Sequence, residues 1–158
     1  MAADVGAKAP DFTLMNENRE PVTLSEQLKK GPVVLAFMPA AFSGTCTAEM
    51  CTFRDKASDL LGSANVLGVT VDTFFALGAW KKAEKLSETL LSDFNKDVTR
   101  AYGVMNPDMI GMKDIAKRAT FVIDRQGKVV YREILDDARN EPDYAKVKEA
   151  LAKTQPAR

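Results

Sequence analysis

The residues of this chain best suited to do chemistry are two cysteines, Cys46 and Cys51, in a sequence that contains no histidine. A thiol is a weak nucleophile until something favours its thiolate, and the usual partner, an imidazole, is missing. A Cys-His or Ser-His-Asp hydrolase in its usual form is therefore excluded, as is a His-based metal site. Two cysteines cannot complete a four-ligand zinc site, and no carboxylate lies at a suggestive spacing beside them, so no metal is expected. What remains for activating a thiol is a helix N-terminus together with a nearby cation.

The run P-A-A-F-S-G-T-C-T-A-E-M-C, Pro39 to Cys51, offers such a terminus. It follows a continuous apolar stretch, Val33 to Met38, of the length and kind expected of a central strand, and it opens a helix. Cys46 then falls in or near the first helical turn, where unpaired backbone N–H groups and the positive end of the helix dipole favour a thiolate. Ser43 can donate a hydrogen bond to the sulfur or to a bound oxygen, and Pro39, lacking an N–H, can shield the pocket and fix the chain direction. A second reading stays open. Cys46, Met50, Phe53, Ala57 and Leu60 recur at steps of three and four, so Cys46 could be a buried apolar residue on a core stripe.

Cys51 lies roughly 140° further round the same helix, with its Cα on the order of 8 Å from that of Cys46. That exceeds the disulfide reach of about 7 Å between Cα atoms. A bond between them would require the first turns of the helix to unwind. The pair is not a Cys-x-x-Cys motif, which disfavours a thioredoxin-type disulfide reductase. Cys51 as an inert helix residue is the alternative.

The elements that must position these residues follow from periodicity and turn chemistry. Asp11 to Leu14 and, more loosely, Glu20 to Val22 read as an N-terminal hairpin, with Pro21 suited to an edge strand. Thr23 and Glu26 have capping-box spacing before a short helix to Lys30. Ala64 to Val71 is a second buried strand, Leu77 to Leu86 a helix, Leu90-Leu91 a short strand, and Lys96 to Tyr102 a helix. Val104 to Lys117 shows no regular pattern. Ala119 to Ile123 and Lys128 to Glu133 flank the turn Asp124-Arg125-Gln126-Gly127. A last helix is expected from Pro142 to Lys153. The alternating middle implies crossovers and parallel pairing, so the expected fold is α/β: a mixed central sheet with helices on both faces and an N-terminal β-hairpin.

Residues 1–158 fit a single domain, with no linker or repeat. A composition of 46% hydrophobic and 28% charged residues is that of a soluble globular protein. Twenty-two basic residues balance twenty-two acidic ones, so nothing suggests a nucleic-acid footprint or a membrane-surface patch. The longest apolar stretch is too short to span a bilayer. The N-terminus lacks the features of a signal peptide, which makes the cytoplasm the expected compartment and a permanent disulfide unexpected.

Beyond these readings, F-M-P-A-A-F-S-G-T-C-T-A-E-M-C-T-F-R-D resembles the peroxiredoxin (AhpC/TSA superfamily) signature P-x-x-x-[ST]-x-x-C, met by Pro39, Ser43 and Cys46. The C-x4-C spacing resembles the bacterioferritin-comigratory-protein (PrxQ-like) branch. The segments A-P-D-F-T-L, V-D-T-F-F-A-L-G-A-W, L-L-S-D-F and K-R-A-T-F-V-I-D-R-Q-G-K-V extend the likeness over most of the chain. The resemblance implies a thioredoxin-like fold and reduction of hydrogen peroxide and organic hydroperoxides, with no metal or organic cofactor. By the same resemblance Cys46 is the peroxidatic cysteine, Cys51 the resolving thiol, Ser43 the hydroxyl that contacts peroxide and Pro39 the shielding proline. It also makes Arg118 the active-site arginine and Glu49 a residue orienting it. Without the resemblance, Arg118 reads as a solvated charge at the start of a strand and Glu49 as an exposed helical acid. Arg54 could join that network or pair with Asp55, Asp59 or solvent. Backbone N–H groups near Thr45 and Cys46 would hold the peroxide oxygens. A thioredoxin-like or glutaredoxin-like dithiol would restore the thiols. A one-cysteine peroxidase resolved by an external thiol, and a peroxide-sensing thioredoxin-fold binding protein, are the competing readings. Both a monomer and a homodimer fit, Phe42, Phe74, Phe75 and Trp80 being candidates for a dimer face.

Overall fold

The computed structural model describes residues 3–154. Strand β3 (Val33–Phe37), the apolar run before the cysteine motif, lies inside the sheet and is buried along its whole length. Side chains alternate across a strand. Val33, Leu35 and Phe37 therefore join one hydrophobic cluster, and Val34 and Ala36 join a second cluster on the opposite face. Parallel partners β4 (Asn65–Thr70) and β5 (Thr89–Ser92) extend the sheet on one side. On the other side, β8 (Arg118–Ile123) and β9 (Val129–Leu135) pair antiparallel around the Asp124–Gly127 turn. The N-terminal hairpin of β1 (Thr13–Asn16) and β2 (Pro21–Thr23) pairs with β5, placing Pro21 on the sheet edge and completing the order β2-β1-β5-β4-β3-β8-β9.

Helices α2 (Gly44–Asp55), α3 (Ala57–Leu60), α4 (Phe74–Glu84) and α6 (Tyr144–Ala152) bury their apolar residues in the cluster containing Val34 and Ala36. Helices α1 (Leu24–Leu28) and α5 (Asp97–Ala101) contribute to the other. This is the thioredoxin-like arrangement expected of the sequence. Gly68 on β4 lets α2 lie close, because a Cβ there would come within 3.2 Å of the Met50 sulfur and 3.1 Å of Met38 Cε.

Several local expectations need correction. The segment without a regular pattern holds a separate hairpin, β6 (Met105–Met109) and β7 (Met112–Ala116). The cysteine helix ends at Lys56, whose φ of −107° and ψ of 17° leave the helical region, and the apolar stripe continues into α3. Thr23 makes no capping bond to α1; its hydroxyl meets that of Thr13 at 2.7 Å, while Glu26 bonds Lys29. α4 starts at Phe74, where the Thr73 side chain accepts from the Ala76 N–H. α6 is capped by Asp143 rather than opened by Pro142, because a carboxylate can accept the Lys146 N–H. Among the described residues, no helix is long and apolar enough to cross a membrane.

Candidate active site

Strand β3 delivers the chain to Pro39, which is buried, and the following loop turns sharply into α2. The Ala41 N–H donates to Asp72 Oδ2 at 2.7 Å, and Phe42 adopts a φ of +66°. Ser43 is the N-cap, with extended backbone (φ −68°, ψ 150°), and its hydroxyl makes no capping bond. Its side chain lines a cavity instead. Cys46 is the third residue of α2, so its N–H is among the four that a helix leaves without an internal acceptor. The Cys46 side chain is fully buried.

Arg118 opens β8 and is 1% exposed. Its Nη1 and Nη2 both donate to Cys46 Sγ at 3.3 Å. Nη1 also donates to Glu49 Oε1 at 2.9 Å, and Nε and Nη2 donate to the Ala138 carbonyl at 3.2 and 2.9 Å. The guanidinium is thus fixed in orientation, with its forked donors on the sulfur. Burial works against its charge, but Cys46 and Glu49 more than offset this and hold it in the protonated form.

Glu49 lies one turn after Cys46 and is also fully buried. Desolvation pushes its carboxyl up from 4.5 to about 7, the attraction of Arg118 offsetting only part of the effect. Its Oε2 has no hydrogen-bond partner. Pro39, Ser43, Gly44, Thr45 and Arg118 form the floor of a cavity of about 720 Å³. Residues 136–139 and the tip of the β6–β7 hairpin form its rim.

Six of the expected site residues therefore converge: Cys46, Ser43, Arg118, Pro39, Thr45 and Glu49. Cys51 stands apart on another face of α2, half-buried against the second core cluster. Burial pushes its thiol up, with Arg54 opposing and Glu84 reinforcing the effect. Arg54 does not reach the Arg118 network; it binds Asp55 at 2.8 Å and the Glu84 carbonyl at 2.5 Å. The outer side of α2 is tied to α4 by Trp80 Nε1, which donates to Thr47 Oγ1 at 3.1 Å.

Sequence reasoning missed Asp72, which holds the loop, and the Ala138 carbonyl, which aims Arg118. A backbone carbonyl carries no side-chain signal, so Ala138 had none to give. Asp72, directly after a buried strand that runs toward the cysteine motif, had the placement but no distinctive spacing. Among the described residues, no group of three or more Cys, Asp or Glu is placed to hold a metal ion.

A cysteine at a helix N-terminus, gripped by a buried arginine on a thioredoxin-like sheet, defines a thiol-based redox protein. Comparison with known proteins gives the family. Residues 5–132 match the AhpC/TSA family. A thiol peroxidase of Halalkalibacterium halodurans is 35% identical over 149 residues, covering 92% of this chain and 86% of its own. Alkyl hydroperoxide reductase E of Mycobacterium tuberculosis is 36% identical over 134 residues, covering 83% of this chain and 85% of its own. The crystal structure of peroxidoxin BcpB from Mycobacterium tuberculosis superposes with a TM-score of 0.84 at 32% identity, over 96% of this chain and 98% of that one. The chain belongs to the AhpC/TSA family, the peroxiredoxins, and thiol-dependent reduction of peroxides is the activity this membership carries.

Proposed function

We propose that Cys46 is the peroxidatic thiol and that Cys51 resolves it within the same chain. The observation that carries the first half is the pair of Arg118 N–H groups on Cys46 Sγ, with Arg118 itself lining the cavity. Peroxide enters with its oxygens against Arg118, the Ser43 hydroxyl and the free N–H groups of the first turn of α2. The thiolate attacks one oxygen, forming an S–O bond as the O–O bond breaks. The departing oxygen takes up a proton and leaves as water or an alcohol. Donors fixed before the reaction stabilise negative charge as it moves from sulfur to the leaving oxygen, the role an oxyanion hole plays in acyl transfer.

The second half rests on helix geometry. Cys51 sits five residues after Cys46 in an unbroken helix. For its sulfur to displace hydroxide from the sulfenic acid, the first turns of α2 must open, since about 8 Å separates Cα atoms at this spacing in a helix. While α2 is closed, burial pushes the Cys51 thiol up and the helix holds it on a different face from Cys46. Opening exposes it, removes that penalty and lets the disulfide form. An external dithiol of the thioredoxin type returns both thiols by exchange.

The test is stoichiometric oxidation followed by intact mass. With one equivalent of peroxide, wild type loses about two mass units, whereas Cys51→Ser gains one oxygen, about sixteen. Cys46→Ser gains and loses nothing. Peroxide consumption by Cys46→Ser at the wild-type rate would overturn the assignment of Cys46. A persistent one-oxygen adduct on wild type would leave Cys51 a bystander and favour resolution by an external thiol.

A further inference from the structure

The cavity lined by Ser43, Thr45 and Arg118 is much larger than hydrogen peroxide requires. Two oxygen atoms occupy on the order of two waters' share of liquid volume, roughly 60 Å³, against a cavity of about 720 Å³. Arg118 and Ser43 lie on its floor, and the hairpin tip brings Met109 and Ile110 to a rim that also carries Asn106, Asp136, Asp137 and Arg139.

That tip is built against ordinary preference. Met109 pairs with Met112, leaving Ile110 and Gly111 as a two-residue turn with φ values of +47° and +90°. Positive φ at both central residues is the pattern of a type I′ turn, which favours Asn, Asp or Gly at the first position. A β-branched residue there is an outlier. Ile110 is also 92% exposed, the most exposed large hydrophobic residue among the described residues. Neither turn formation nor burial accounts for an isoleucine at this position. The hairpin needs no help from it: Asp108 accepts from the Gly111 N–H at 2.8 Å and from Lys113 Nζ at 2.5 Å, one residue pair behind the tip.

We propose that Ile110, with Met109 beside it, is a specificity-determining residue that receives the apolar substituent of an organic hydroperoxide. This rests on the reading of Cys46 as the peroxidatic thiol. The –OOH group is drawn to Arg118 and the helix N-terminus, so the substituent of R–OOH projects outward along the cavity. There it covers an isoleucine that otherwise faces water. Hydrogen peroxide has no substituent and gains nothing from the contact. The hairpin therefore raises selectivity for apolar hydroperoxides without taking part in the chemistry.

The experiment compares cumene hydroperoxide with hydrogen peroxide as substrates of wild type, Ile110→Asn and Ile110→Leu, each as the full chain. Asn suits the turn better than Ile, so Ile110→Asn is expected to unfold at the same or a higher temperature. The expected result is that the ratio of kcat/KM for cumene hydroperoxide to that for hydrogen peroxide falls about tenfold in Ile110→Asn, the lower range of discrimination by small apolar contacts. In Ile110→Leu the ratio stays near wild type. An unchanged ratio in Ile110→Asn overturns the proposal, whether both rates hold or both fall together. So does an unchanged ratio with a raised KM for the reducing dithiol, which would assign the tip to the reductant. A wild type that consumes hydrogen peroxide but not cumene hydroperoxide refutes this inference alone. One that consumes neither refutes the peroxidase reading itself.

Discussion

Replacing Glu49 with glutamine should shift stability in the variant's favour, relative to wild type, as pH rises through neutrality. Glu49 is fully buried, one of its oxygens has no partner, and Arg118 offsets only part of the cost of its charge. Its carboxyl is raised from 4.5 to about 7 in the folded protein. A raised folded-state value means that the folded chain holds this proton more tightly than the unfolded one does. The associated stability is complete below about 4.5 and is lost as pH rises through about 7. At about 1.4 kcal/mol per tenfold change in proton affinity, the whole loss is about 3 kcal/mol, of which roughly 2 to 3 falls between pH 5 and pH 8.

Glutamine keeps the shape and an acceptor for Arg118 Nη1 but does not titrate. Urea unfolding of wild type and Glu49→Gln at both pH values, followed by the fluorescence of the single tryptophan, measures the difference. Other titrating groups are common to the two proteins and cancel to first order. The gap should shift in favour of glutamine by roughly 2 to 3 kcal/mol on going from pH 5 to pH 8. A gap that does not change, or that shifts toward the glutamate, would refute the conclusion that burial outweighs Arg118 at this carboxyl.

Two further outcomes test the site. Arg118→Met removes both N–H donors from Cys46 Sγ, and the second-order rate constant for peroxide should fall by about 10² to 10³, as on loss of a donor to a developing anion; stopped-flow fluorescence of Trp80 would follow it. Thr47→Val removes the acceptor of the Trp80 indole and loosens α2 from α4 by about 1 kcal/mol. Disulfide formation after oxidation should then accelerate about fivefold, read by acid quench and intact mass, with less over-oxidised Cys46 at high peroxide.

The parts of the fold that announced themselves were those where burial is one-sided or complete. Val33 to Phe37 was readable because a strand covered on both faces must be apolar throughout, and the Asp124–Gly127 turn because Asp124 and Gly127 are turn residues between two apolar runs. The β6–β7 hairpin was not readable. Its strands are largely exposed, so no alternation forms, and its turn carries an isoleucine where the usual signal would be Asn or Gly. The helix break at Lys56 was hidden because the apolar stripe crosses it unbroken. In the site, Cys46 could be placed from the strand-to-helix junction alone. Arg118 could not: it lies 72 residues away, and nothing local separates a buried guanidinium from a solvated one. Family resemblance picked it out, and its contacts are set by strand pairing between β3 and β8.

The placement of both cysteines on one helix also bears on how a reductant lets go. On the proposed cycle, the Cys46–Cys51 disulfide exists only while the start of α2 is unravelled, so the reducing dithiol must dock on an irregular, open segment. Once the disulfide is reduced, nothing holds that segment open, and the helix winds back onto β4 and α4. Rewinding returns Cys46 to its buried position beneath Arg118 and removes the surface on which the reductant stood. Recoil of the helix thus makes product release self-enforcing: the reduced enzyme no longer offers what the reductant bound, and the two proteins separate without a competing ligand.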